Sequence, residues 1–196
     1  MKRNKQDTAI TINKIKQIAR EHFTDHGYAE CSLEEIARSV EVTRGALYHH
    51  FNNKKGLFQA VLASVQEEVA QRVEEEASQS EDMFEQLYLG CRAFVTAATE
   101  PTNRRIMLID GPAVLGWEEW RQLDAKQSMR LLHGQLELMQ QKGTLKSIRL
   151  DAATHLLSGA LNEAALWLAQ KTDVEEADAA LDDCLYTLRR LLDGLS

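Results

Sequence analysis

Proline is nearly absent: Pro101 and Pro112 are the two in 196 residues. Almost nothing therefore interrupts a helix by removing an amide donor, and long helices are allowed across most of the chain. Cysteines are three, Cys31, Cys91 and Cys184, odd in number and widely spaced. That pattern argues against a disulfide framework and fits reduced thiols in a cytoplasmic protein. No stretch approaches the roughly 18 apolar residues of a membrane span, so no membrane partner is expected. The first residues, MKRNKQDTAITINK, are basic but lack the apolar centre of a signal peptide, and read as a flexible arm. Catalytic signatures are missing too: there is no GxSxG, no HExxH and no phosphate-binding glycine loop, so an enzyme is not expected. His49 and His50 are adjacent, but neighbours on a helix point about 100° apart. No further Cys or His stands at ligand spacing, so neither a metal nor a cofactor is implied.

What remains is helix after helix, without strand-type alternation or an internal repeat. The pattern predicts an all-α chain. Helices are expected over 8–27, from Lys55 to about Ser78, over 81–98, 103–114, 117–142, 151–171 and 174–194. The helix over 103–114 is interrupted by Gly111-Pro112, and SQSED at 78–82 is a loop. The net charge is −7, yet it is unevenly spread. Residues 1–60 hold ten Lys or Arg against seven Asp or Glu, while residues 61–196 hold thirteen against twenty-three. The acid lies away from the N-terminal third, so the total charge does not describe the local field there, and a polyanionic partner for that third is not excluded.

Residues 32–58, SLEEIARSVEVTRGALYHHFNNKKGLF, carry the most information. Ser32 can cap a helix, and Glu35 three residues on completes a capping box. Leu33, Ile36, Ala37 and Val40 then share one face. Glu41-Val42 leaves room only for a tight turn, and Thr43 can cap a second, short helix. That helix turns Leu47 and Phe51 inward and carries Arg44, Gly45, Tyr48, His49 and His50 outside. A short helix with a polar, cationic outer surface, braced by another, suits a DNA major groove. Arg44 in the first turn can make a bidentate contact to guanine, and Gly45 permits close approach. Tyr48 can reach phosphate or a thymine methyl, or serve only in packing. His49 can reach the groove edge and His50 the backbone. Lys54 and Lys55 oppose the dipole of the next helix at about 0.3–1 kcal/mol each, a cost that phosphate neutralisation would offset.

SLEEIARSVEVT followed by GALYHHFNNKKGLFQAV, with Ile15, Ala19, Phe23, Gly27 and Tyr28 before them, resembles the DNA-binding signature of the TetR-type bacterial regulators. The likeness runs from about Ile15 to Val61. Two positions depart from it: Glu41 stands where glycine is common, and Lys55 where an acid is common. A left-handed backbone at Glu41 would carry modest strain. The resemblance implies an N-terminal three-helix helix-turn-helix domain over 1–54. It implies a C-terminal helical effector-binding and dimerisation domain over 55–196. The expected function is a cytoplasmic transcriptional regulator, a repressor of palindromic operators on double-stranded DNA, released by a small molecule. A DNA-binding module without a ligand, controlled by a protein partner or by abundance, is the alternative, and a filled core would favour it.

The last two helices look like a homodimer interface. Val174, Ala177, Leu181, Cys184, Leu188, Leu191 and Leu195 recur every three or four residues. Gly159, Ala160 and Ala164 are small enough for close helix approach, and paired helices from two chains would make a four-helix bundle. The resemblance also implies a ligand pocket among the middle helices. Candidate residues there are Phe94, Met107, Asp110, Trp117, Trp120, His133, Met139, Asn162, Glu163 and Trp167, each of which could equally be plain core. Asp110 and Glu163 need partners if buried: Arg104, Arg130 or a cationic ligand. An apolar effector, with cationic character as one option, is the expectation.

Overall fold

The computed structural model describes residues 5–145 and 148–195; the first four residues of the expected N-terminal arm lie outside them. All regular elements among the described residues are helical: α1 Lys5–Glu30, α2 Leu33–Val40, α3 Arg44–Phe51, α4 Lys54–Ala77, α5 Met83–Thr99, α6 Pro101–Arg104, a π-helical stretch Arg105–Asp110, α7 Gly111–Leu115, α8 Trp117–Ala125, α9 Ser128–Gln141, α10 Leu150–Ala169 and α11 Val174–Asp193. No described helix is long and apolar enough to cross a membrane. The chain folds into two compact units, and neither is contiguous. One holds the residues up to Val65 together with Pro101–Trp120; the other holds Gln66–Glu100 and the residues from Arg121 onward.

The first unit is built on the N-terminal pattern. Ile15, Ala19 and Phe23 of α1 are fully buried, as are Leu57 and Phe58 of α4. Phe58 meets Phe23 edge-on at 5.1 Å and Tyr28 at 5.2 Å, geometries in which ring edges face ring faces favourably. Helix α2 buries Leu33, Ile36, Ala37 and Val40, and α3 buries Leu47 and Phe51. Between them Val42 N donates to Ala37 O and Glu41 N to Arg38 O. This pair of bonds is the Schellman closure, which places one residue in the left-handed region. That residue is Glu41, at φ 62 and ψ 38, so the strain anticipated for a non-glycine here is present.

Residues 101–120 join this unit by packing on α1. Helix α1 breaks at Gly27, φ 78, and the break exposes carbonyls that no helical amide reaches. Arg105 fills the gap, donating to the carbonyls of Thr24, Asp25 and His26 at 3.2–3.3 Å. A Cβ on Gly27 would lie 2.4 Å from Arg105 Nη2, so glycine is needed for the approach as well as the backbone angle. Asp110 accepts from Tyr28 N at 2.9 Å and faces Arg105 at 3.8 Å. Trp120 is fully enclosed and donates Nε1 to Met107 O at 2.8 Å. The segment expected as a helix over 103–114 interrupted at Gly111-Pro112 is the end of α6, the π-helical stretch Arg105–Asp110 and α7, which starts at Gly111.

In the second unit α5 packs against α9, α10 and α11, and α10 against α9 and α11. Asp82 and Asp173 cap α5 and α11, accepting from Glu85 N at 2.8 Å and Glu176 N at 2.9 Å. Leu87, Phe94 and Val95 of α5 are buried, with Leu136 and Met139 of α9. The helix expected over 117–142 is two helices, separated at Lys126-Gln127. Neither residue is a helix breaker, so packing rather than propensity ends α8 there.

Candidate DNA-binding surface and internal cavity

The caps of the helix-turn-helix set its outer face. Ser32 Oγ accepts from Glu34 N and Glu35 N at 3.2 and 3.4 Å and donates to the Glu34 carboxylate at 3.1 Å. Thr43 Oγ1 accepts from Ala46 N at 3.2 Å and starts α3. With Leu47 and Phe51 held inside, Arg44, Gly45, Tyr48 and His49 are left outside, and His50 half-buried. Open space surrounds Gly45, where an added Cβ would meet only Thr43 Oγ1 at 3.9 Å. The rings of His49 and His50 lie 5.2 Å apart, at 63°. Among the described residues no group of His, Cys, Asp and Glu is arranged to hold a metal ion.

Arg44 is held in place within the protein. Its guanidinium forms an ion pair with Glu34, donates to Tyr48 Oη at 3.1 Å and lies 5.2 Å from the Tyr48 ring centre. The Glu34 carboxyl is held below its usual range by its backbone hydrogen bond, by Ser32 and by Arg44, so it stays charged beside Arg44. The two lysines after α3 turn back into the first unit. Lys54 Nζ donates to Ala29 O at 3.0 Å and lies 4.6 Å from the Tyr28 ring centre. Lys55 Nζ pairs with Glu119 at 2.9 Å. These contacts place each cation on an acceptor and lessen the cost of two lysines at a helix N-terminus. The start of α4 is capped by Asn53, whose Oδ1 accepts from Gly56 N at 2.8 Å.

A cavity of about 270 Å³ lies in the second unit, between α4, α5, α8, α9 and α10. Phe94 and Asn162 line it. Met107, Asp110, Trp117 and Trp120 belong instead to the first unit, where Asp110 has found Arg105 rather than the Arg104 or Arg130 considered for it. Trp117 is 63% exposed. His133 faces Asp151 at 3.5 Å, Met139 is core, Glu163 is exposed and the Trp167 ring carries Lys171 Nζ at 5.2 Å. Asn162 belongs to a polar wall of the cavity whose other members, Asp124 and Ser158 backed by Arg121, were not among the sequence candidates. Arg121 Nη1 lies 2.6 Å from Asp124 Oδ2 and 3.2 Å from Ser158 Oγ. Within WEEWRQLDA the Arg-Asp pair three apart looks like a surface ion pair, and only its burial distinguishes it. Cys91 also lines the cavity; burial pushes its thiol to about 12, so it is not a thiolate.

On α11, Leu188 is buried and Leu181 and Cys184 half-buried within the unit; Ala177 and Leu195 are also half-buried. Val174, Tyr186 and Leu191 are exposed, at 73%, 70% and 64%. On α10, Leu156 is 75% exposed and shares its outer face with Gly159 and Ala160, while Ala164 is half-buried.

Comparison with known proteins places this geometry in a class. Residues 16–61 match the bacterial regulatory proteins of the tetR family, and residues 84–195 match the tetracyclin repressor-like C-terminal domain. The chain belongs to the TetR family of DNA-binding transcriptional regulators, which are not enzymes. A TetR-family transcriptional regulator from Pectobacterium atrosepticum is 32% identical, with a TM-score of 0.82 over 98% of this chain and 97% of that one. The HTH-type transcriptional regulator TtgR of Pseudomonas putida is 40% identical over 91 residues, 46% of this chain and 41% of TtgR. The HTH-type transcriptional regulator SrpR of Pseudomonas putida is 48% identical over 56 residues, 29% of this chain and 26% of SrpR. These curated relatives are thus matched over less than half of their length.

Proposed function

We propose that the protein is a homodimeric repressor that reads a palindromic operator with α3 and leaves it when a small molecule fills the cavity of the second unit. The reading rests on one observation above others: α3 keeps its apolar residues inside and presents Arg44, Gly45, Tyr48 and His49 together on an exposed face. Arg44 reads a base. Ser32, Thr43, Tyr48 and His50 position the helix on the phosphates, and Lys54 and Lys55 contribute charge close by. Dimerisation supplies the second half-site, about 34–36 Å away along the duplex. The exposed apolar residues of α10 and α11 support that assembly, because Leu156, Tyr186 and Leu191 would otherwise face water. The working place of such a protein is the cytoplasm, with the DNA.

The cavity favours effector control over a module regulated by abundance alone. Val73 and Ala77 of α4 line it, and α4 begins at Lys54, two residues after α3 ends. A ligand that binds better when α4 holds the DNA-incompetent arrangement shifts the population away from the operator. A coupling of about 1–3 kcal/mol is sufficient. Selection of bound sequences from a random DNA pool tests the whole reading. It should return a two-fold symmetric site with half-sites about one turn apart. An unstructured enrichment, or none, would remove the repressor assignment.

A further inference from the structure

The lining of the cavity is chemically one-sided. Among the described residues that form it are two carboxylates, Glu74 and Asp124, and no Lys, Arg or His. Glu74 is exposed. Asp124 is 3% exposed, with Ser158 at 4% and Asn162 at 5% beside it. Arg121 is not part of the lining; its guanidinium is engaged by Asp124 Oδ2 and Ser158 Oγ. Asn162 spends its amide hydrogens on Ser158 O at 2.9 Å and Asp124 Oδ2 at 3.4 Å. What it can still offer a guest is its carbonyl oxygen. A deprotonated Asp124 offers only acceptors as well. Burial pushes the Asp124 carboxyl up, against the downward pull of Arg121, Asn162 and Ser158. The carboxylate is therefore incompletely compensated, and a further donor would favour its charged form. The rest of the wall is mostly apolar, Leu87, Phe94, Leu132 and Leu161 among it; of its other uncharged polar residues, Ser78, Gln86, Ser128 and Gln135, Gln86 and Gln135 already donate to Ser80 O, Met83 O and Gln86 Oε1.

We infer that the cavity takes an apolar molecule whose head group donates hydrogen bonds and carries no negative charge, an alcohol or an amine, seated against Asp124, Ser158 and Asn162. This deepens the effector reading and rests on it. Carboxylates and phosphate esters are disfavoured twice: they meet like charge at Glu74 and at Asp124, and Arg121, which backs the polar wall, is already paired with Asp124. A cavity with acceptors and no free cation excludes anions by leaving them unpaired.

The test is calorimetric titration of the full-length protein with 4-butylbenzyl alcohol, 4-butylbenzylammonium and 4-butylbenzoate, which share one apolar body and differ in the head group. The alcohol, the ammonium or both should bind at least about tenfold more tightly than the benzoate, a difference of about 1.4 kcal/mol. Their ratio tells a neutral natural head from a cationic one. Asp124→Asn leaves Arg121 without its counter-charge, so the benzoate should gain and the order should invert. Leu132→Trp, which fills the cavity, should abolish all binding. Should Asp124→Asn fail to fold, the wild-type order still decides. Equal binding of the three, preference for benzoate, no binding of any, or binding that survives Leu132→Trp overturns the assignment. Operator binding is measured alongside. A head-group preference without operator release keeps the ligand class and sinks the effector reading; release without preference does the reverse.

Discussion

Under the proposed function, Arg44 has two partners in turn. In the free protein it is clasped by Glu34 and Tyr48, and contact with guanine requires it to exchange the carboxylate for the base edge. Arg44→Ala should weaken operator binding by about 1–3 kcal/mol and relax preference at one base pair in each half-site. Binding measured against a panel of single-base operator variants checks this, and an unchanged base preference would remove Arg44 from readout. Glu34→Gln removes the competitor, so affinity for operator and for unrelated DNA should both rise, with a flatter difference between them. Gel-shift titration against both DNAs reads it; unaltered affinities would make the clasp irrelevant to binding. Glu41 offers a test of stability alone. Its left-handed backbone costs a non-glycine residue about 1–2 kcal/mol, part of which glycine's greater unfolded freedom takes back. Glu41→Gly should therefore raise the thermal midpoint, and a lowered one would show that the carboxylate has an undetected role. At this scale the caps Ser32 and Thr43 were legible because capping is local chemistry. Asp124 was not, because its importance lies in burial among residues distant in sequence.

At the scale of elements, the first four helices could be read in order from their spacing and caps. The segment over 103–114 shows what spacing cannot give. Its apolar residues announce a buried helix but not the partner that buries it, so Met107 and Asp110 read equally well as a pocket wall. The stretch that holds them packs instead on α1, where Arg105 closes the break at Gly27 and Asp110 accepts from Tyr28 N. A guanidinium that forks across three carbonyls and faces Asp110 is hard to replace, since lysine cannot reproduce the planar donor set. Arg105→Ala should destabilise the protein by about 1–3 kcal/mol and speed amide exchange at Tyr28 and Ala29. Arg105→Lys should recover only part of the protection. Hydrogen-exchange mass spectrometry of the peptide spanning 24–30 decides, and unchanged protection in the alanine variant would show that the kink holds itself. The division of 117–142 into α8 and α9 was likewise hidden, because no glycine or proline marks it.

For the whole molecule, the dimer prediction depends on choosing residues that the single chain does not already bury. Leu188→Glu would place a charge in a packed interior and should simply unfold the protein. Leu156→Glu changes a residue that is 75% exposed, so the chain should fold but sediment as a monomer and lose operator affinity. A variant that remains dimeric would take the outer face of α10 out of the interface. The apolar periodicity of α11 was plain in the sequence, but periodicity cannot say which stripe faces the chain's own core and which a second copy. The discontinuity of the first unit has a consequence for recombination. Arg20 bonds Asn103 at 2.7 Å, Tyr28 N bonds Asp110 and Lys55 pairs with Glu119. A graft of residues 1–54 onto another sensor would cut the first two pairs, and one extended through α4 to Val65 would cut all three. Hybrids of this protein therefore need three crossovers, one in α4 and one at each end of 101–120, so that this segment travels with the headpiece. Shuffled libraries that cut once should yield fewer working regulators than libraries that respect all three joints.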